Sequence, residues 1–271
     1  SGPAGRIKAE DVRRAAEAGP AAPAAAPARE PAPATEIMPD AVRLATARRV
    51  SAATRDIPHF HVMREAEVSA LAALRETLNA EPGRPRISVT HMLIRAFGIA
   101  LAEMAQMNRI WLDDRILAFS QVDVGMVTQT PAGLRIPVLR DVANADLDAI
   151  ARSAAALAGR AREGRLAAAD VGGGVASVSN VGMFGATAVA PIISPPQAMI
   201  LGVGAERALF RPDASGAPAL RREIALTLVC DHRIIDGSEA ARLLDLLVSL
   251  VENPIRLLRP ARRPDILQDQ E

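Results

Sequence analysis

Three side chains in this sequence have the types and spacing to move a proton or hold developing charge. His232 ends the apolar run of "REIALTLVCDHRIIDGSE", and Asp236 follows four residues later, just before Gly237. Ser179 lies in "GGGVASVSNVGMFG", where a strand breaks into a glycine-rich loop. An imidazole changes charge near neutral pH, so it can take a proton from a thiol or hydroxyl. A serine hydroxyl can donate to an oxyanion. Each residue also has a plainly structural reading. His232 can be a core histidine bonded to a carbonyl, and Ser179 an ordinary turn serine. Asp236 and Glu239 form an acceptable capping pair at a helix start, which is the reading favoured for Asp236. Cys230, two residues before His232 on the same strand face, could be a nucleophile, but a lone cysteine in an apolar strand is usually core. His59-Phe60-His61 puts two imidazoles on one strand face, as a metal pair would. No acidic or cysteine cluster lies nearby, so no metal is expected. No GxSxG elbow surrounds Ser179, and the glycines fit neither a dinucleotide fold nor a phosphate loop.

The elements around these residues follow from periodicity. Taken as a strand, the run up to His232 puts Ile224, Leu226, Leu228 and Cys230 on one face. His232 then extends that stripe, and partial burial is expected to disfavour its charged form and lower its pKa. Behind Asp236, Ala240, Leu243, Leu244, Leu247 and Val251 recur at helical spacing. Helices are expected over 40–53, 66–80, 88–106 and 146–163. The third is apolar nearly all round, hence buried, with Ser88 or Thr90 as N-cap. Strands are expected over 59–63, 122–129, 134–139, 174–182, 197–205 and 222–230. Helices and strands mix without strict alternation, which predicts an α+β fold with a mixed or antiparallel sheet.

Composition narrows the class of function. The chain has 271 residues, 49% apolar, enough for one large domain with small appendages. A net charge of +1, with five Phe, one Trp and no Tyr, argues against nucleic acid or an anionic membrane as partner. One cysteine rules out an internal disulfide. No apolar stretch is long enough to span a bilayer, and nothing resembles a signal peptide, so a membrane or secreted protein is not expected. Residues 1–19 read as a turn and one short helix, Lys8 to Ala18. Residues 20–36 are an Ala/Pro-rich linker, where proline density forbids a helix and favours extended spacing. A linker implies something tethered beyond it, and the chain reads as a fragment at its N-terminus. The globular domain covers 37–271.

"DIPHFHV", "GLRIPVLRD", "SVSNVGMFG", "PPQAMILGVG" and "DHRIIDG", in this order along the chain, closely resemble the dihydrolipoamide acyltransferases, the core subunits of 2-oxo acid dehydrogenase complexes. The resemblance covers about residues 37–260. It implies a chloramphenicol-acetyltransferase-like mixed sheet flanked by helices, a homotrimer that builds a cubic or dodecahedral core, and active sites at subunit boundaries. His232 matches the catalytic histidine, Ser179 the oxyanion donor, and Asp236 the aspartate of the histidine motif, whose role is structural. The substrates implied are coenzyme A and a lipoyl group carried on a domain absent from this chain. Residues 1–19 resemble the tail of the subunit-binding domain that docks the decarboxylase and dihydrolipoamide dehydrogenase subunits. A bacterial cytoplasm or a mitochondrial matrix is the implied location. The loop motifs are most like the acetyl-transferring branch. A succinyl or branched-chain acyltransferase, or a non-catalytic structural core subunit, are the alternatives. Arg109 stands where many relatives carry a small residue. It is expected to lie away from the catalytic set, where it could alter lipoyl or coenzyme A contacts. A terminal segment such as "DILQ" could dock trimer to trimer.

Overall fold

The computed structural model describes residues 2–18 and 34–261. The chain divides into two compact units, Ser1–Pro39 and Asp40–Glu271. In the first, helix α1 (Ala9–Glu17) forms where expected. Its entry is held by the Asp11 carboxylate, which accepts the Lys8 N–H at 2.9 Å, and none of its residues is buried. Most of the expected linker, and the "DILQ" segment, lie outside the described residues.

In the second unit, helix α2 (Ala41–Asp56) leads into strand β1 (His59–Glu67), followed by α3 (Ser69–Asn79) and α4 (Val89–Glu103). Two short hairpin strands, β2 (Arg109–Leu112) and β3 (Arg115–Ala118), precede β4 (Val124–Met126), β5 (Thr128–Thr130), β6 (Gly133–Arg135) and β7 (Val138–Leu139). Helices α5 (Leu147–Arg162) and α6 (Ala168–Val171) come before β8 (Ala176–Asn180), β9 (Met199–Val203), β10 (Arg207–Pro212) and β11 (Pro218–Asp231). Helix α7 (Gly237–Glu252) follows. The main sheet runs β1-β11-β9-β8-β4-β7, with β10 paired to the first half of β11. The β4–β8 and β8–β9 pairs are parallel and the others antiparallel, so the sheet is mixed and the α+β class is observed.

The departures from expectation have local causes. Residues 66 and 67, expected to begin a helix, complete β1 instead, because the ladder with β11 continues to Glu67 opposite Glu223. The β2–β3 hairpin turns at Asp113-Asp114, both with positive φ (49° and 57°). That geometry is usually signalled by Asn-Gly or Asp-Gly, which is absent here. The strands expected over 122–129 and 134–139 each break in two. Strand β10 was not expected at all.

Strand β11 is buried on both faces from Ile224 to Asp231. Ile224, Leu226, Leu228 and Cys230 face the main core, as the period of two predicts. Val229 lies in a second cluster with Ile57, Ile193 and Ile200. Helix α4 runs through the main core, capped by Ser88 Oγ on the His91 N–H, with Met92 through Ala102 all buried. Among them is Arg95, 2% exposed, whose guanidinium donates to the carbonyls of Leu257, Val142, Ala143 and Arg259 at 2.6–3.1 Å. A buried charge is tolerated because its donors are matched to backbone acceptors.

One turn on, Gly98 lets this helix touch the same segment. A Cβ there would lie 2.6 Å from Val142 Cγ2 and 3.0 Å from the Val142 carbonyl carbon. Alanine normally stabilises a helix interior by about 1 kcal/mol over glycine. At this position the sign reverses. Gly98→Ala is expected to lower unfolding stability by about 1–3 kcal/mol through overpacking, read as a lower urea midpoint at unchanged slope.

Candidate active site

His232 does not extend the buried stripe. Strand β11 ends at Asp231, and the histidine sits in the following turn, exposed, with its N–H donating to Pro58 O at 3.0 Å. Its ring lies against Phe60 of β1, centroids 4.4 Å apart and tilted by 41°. The cause is Asp231, 1% exposed, which occupies the buried position at the strand end. Its carboxylate accepts the N–H of Arg233 at 3.0 Å and the Arg233 guanidinium at 2.6–3.2 Å. This pairing pushes the Arg233 pKa above its ordinary value, chiefly through the hydrogen bond. It also closes the chain into a turn and throws His232 outward. The partial burial expected of His232 is not observed.

Asp236 is the N-cap residue of α7, as expected, but its side chain makes no capping hydrogen bond. The turn is closed by Glu239, whose Oε2 accepts the Asp236 N–H at 3.0 Å. Glu239 is in turn reached by Arg109 of β2, at 3.2 and 3.3 Å, and the same Arg109 nitrogen donates to Ile234 O at 2.5 Å. Arg109 therefore touches the histidine turn, contrary to the expectation that it stood clear of the catalytic set. Sequence separation hid this contact, which spans 125 residues.

Ser179 lies near the end of β8. Ala176 and Val178 face the main core, so Ser177 and Ser179 face the opposite side. Ser177 is buried and donates to Gln197. Ser179 is half-buried, and among the described residues no partner engages its hydroxyl. The next residue fixes the loop: Asn180 Oδ1 accepts the Gly182 N–H at 2.9 Å, and its Nδ2 donates to Thr90 Oγ1 at the start of α4, 3.0 Å away. Neither Asn180 nor Thr90 was singled out for this role, although Asn before a glycine loop is a local turn signal.

Within one subunit the two candidate residues are not brought together. Ser179 pairs with Gly202, and Gly202 with Thr227. His232 lies five residues beyond Thr227, just past the end of β11, about 16 Å at a strand rise of about 3.3 Å per residue. Two inter-strand spacings separate them laterally as well.

Cys230 and His59 are tied into the fold. Cys230 is fully buried, and burial, with the nearby charges of Asp231 and Glu239, pushes its thiol up to about 12. It is no nucleophile in that state. His59 pairs both ring nitrogens: Nδ1 with Ile57 O at 2.8 Å and Nε2 with the N–H of Ile193 at 3.1 Å. Nε2 must accept, so Nδ1 donates. His61 is exposed, and no group of three metal-ligating side chains occurs among the described residues.

An exposed imidazole on a braced turn and a half-buried hydroxyl toward the other end of a mixed sheet are the candidate groups that this α+β domain presents. The family described as 2-oxoacid dehydrogenases acyltransferase (catalytic domain) matches residues 31–259, and the chain belongs to it. A mitochondrial dihydrolipoyllysine-residue acetyltransferase component of the pyruvate dehydrogenase complex from Neurospora crassa is 37% identical over 264 residues. That alignment covers 95% of this chain but 57% of the Neurospora protein, so this chain spans little more than half of that relative's length. The dihydrolipoamide acetyltransferase of Azotobacter vinelandii, studied for the roles of a serine, a histidine and an asparagine in its catalytic mechanism, superimposes with a TM-score of 0.78. Its identity is 29%, covering 84% of this chain and 95% of that one. The cubic core of the pyruvate dehydrogenase multienzyme complex superimposes at 0.77, with 28% identity and the same coverage.

The burial of Cys230 predicts its chemistry. In the native protein DTNB should label it only as fast as the fold opens, and at once in urea. Cys230→Ala should retain whatever acyl transfer the parent shows.

Proposed function

We propose that this chain transfers an acetyl group between a dihydrolipoyl thiol and coenzyme A, as the core subunit of a 2-oxoacid dehydrogenase complex. The observation that carries the reading is the His232 turn: an imidazole held outward by the buried Asp231 carboxylate paired with Arg233, with its backbone tied to Pro58 and its ring on Phe60. The family and the named acetyltransferase relatives support it. In the Azotobacter protein the named histidine and asparagine stand four residues apart, the spacing of His232 and Asp236 here.

A free thiol has a pKa of about 8.5, so under about a tenth is thiolate at neutral pH. The His232 imidazole takes the thiol proton as sulfur attacks the thioester carbon. The new C–S bond forms, and the carbonyl oxygen becomes an oxyanion that accepts from the Ser179 hydroxyl, worth about 2.7–4 kcal/mol by analogy with other oxyanion donors. Collapse breaks the old C–S bond, and the leaving thiolate takes the proton back from the imidazolium. Two substrates meeting in one site make an acyl-enzyme unnecessary. Asp236 acts structurally, as the first residue of the α7 cap.

The separation of His232 from Ser179 requires that each site take the histidine of one copy and the serine of another. A cyclic trimer supplies three such boundaries, and trimers then build a larger core, as in the cubic assembly. Residues 1–19 are read as the tail of a subunit-binding domain, joined to the globular domain by the linker of 20–36. They would tether the decarboxylase and dihydrolipoamide dehydrogenase subunits. The location would be that of the complex, a mitochondrial matrix or a bacterial cytoplasm.

His232→Ala is expected to abolish transfer from acetyl-CoA to dihydrolipoamide while the oligomer stays intact. An inactive parent, tested next with succinyl- and isobutyryl-CoA, would move the acyl assignment, and silence with all three would leave a structural core subunit. The boundary itself has a separate test. Co-expressing His232→Ala with Ser179→Ala at equal levels should restore about one quarter of parent activity, since random pairing leaves that share of boundaries with both residues. A site completed within one chain would gain nothing by mixing.

A further inference from the structure

The turn that carries His232 is short of its own restraints. Besides the Asp231–Arg233 pair and the His232 N–H on Pro58 O at 3.0 Å, its backbone is held by two amides, Ile234 and Ile235, that both converge on Asp231 O at 3.1–3.2 Å. The Ile234 carbonyl faces Arg109 of the β2–β3 hairpin. One guanidinium nitrogen, Nη2, bridges that carbonyl at 2.5 Å and the Glu239 carboxylate at 3.2–3.3 Å, and Glu239 accepts the Asp236 N–H. The arginine side chain is 23% exposed and its Nε is buried with no partner among the described residues, so the attachment depends on this one nitrogen. Trp111, two residues on and on the same hairpin face, lies beneath the Arg233 guanidinium at 5.5 Å. The hairpin grips the turn at the residue after His232 and again one residue later.

The hairpin is itself well anchored. Ile110 is buried in the main core between the two gripping residues. At its base Asn108 donates to Phe119 O at 2.6 Å and Gln121 O at 3.0 Å, while Asn108 O accepts the Phe119 N–H at 2.9 Å. A rigid support makes a useful clamp; a loose one would not.

We infer that Arg109 is a positioning residue for His232, setting the angle of the histidine turn by bridging the Ile234 carbonyl to Glu239. It touches no atom of the imidazole and takes no part in proton transfer. The inference rests on the proposed role of His232, and its consequence is kinetic. A misplacement of about 1 Å in a reacting group can lower turnover by about a hundredfold. Substrate affinity, set elsewhere, should hold.

The test compares the parent chain with Arg109→Met, which keeps the side-chain length without donors, and Arg109→Lys, which can reach one of the two acceptors. Steady-state transfer from acetyl-CoA to dihydrolipoamide and hydrogen–deuterium exchange would be measured on all three. In Arg109→Met, kcat should fall about ten- to a hundredfold with both KM values within about twofold, and Arg109→Lys should recover part of the loss. Exchange should quicken about tenfold at residues 233–236 and stay unchanged along α4. Unchanged kcat and unchanged exchange in Arg109→Met would overturn the inference. So would a raised KM at full kcat, which would make Arg109 a substrate contact, or faster exchange spread over the whole domain, which would make it a stability residue only. A parent without any transfer would sink the proposed function instead, and the exchange pattern would still decide whether Arg109 holds the turn.

Discussion

The Asp231 carboxylate is buried at the tip of strand β11, where water cannot solvate it and where, among the described residues, the Arg233 guanidinium and N–H are its hydrogen-bond donors. A charge in that position is tolerable when paired, and removing one partner of such a pair typically costs about 3–5 kcal/mol. Satisfying it requires the chain to leave the sheet at once and fold back on itself. That single electrostatic demand ends β11, exposes His232, and sets where α7 can begin. Strand β1 completes the arrangement from the other side, with Pro58 accepting the His232 N–H and Phe60 under the ring.

Helix α4 plays the corresponding part for the rest of the domain. Its first turn receives Asn180 through Thr90, which steadies the loop after Ser179. Its middle carries Arg95, whose donors gather carbonyls from residues 142–143 and from the chain after α7. Gly98 allows the close approach that makes those bonds possible. The helix is apolar nearly all round because it is surrounded, and its one buried charge, Arg95, ties backbone that would otherwise be unsatisfied.

Strand pairing puts a limit on function that no side chain can evade. A register that aligns Ser179 with Thr227 places it five residues from His232 along the sheet. A proton acceptor and an oxyanion donor must lie within a few ångströms of one reacting carbonyl, so a single sheet of this register cannot supply both. Assembly is therefore part of the proposed chemistry, and a subunit alone would carry two incomplete halves.

The α+β class, the core face of β11, the span of α7 and the short list of chemical residues were legible from residue order, because hydrophobic periodicity and turn residues act over a few neighbours. His232, Ser179 and Asp236 were found that way, with the resemblance of their motifs deciding between structural and chemical readings that spacing left open. The outward turn of His232 was not legible. Alternation said it should continue the buried stripe, and only the Asp231–Arg233 pairing in its tertiary setting reversed that. The grip of Arg109 was equally hidden, since it reaches the turn from a hairpin more than a hundred residues away in sequence, whereas the Glu239 closure is local and was legible as a capping pair. Local sequence determined which groups this protein owns. Tertiary structure decided where they point and which stand apart, because burial, charge pairing and strand register are properties of distant segments brought into contact.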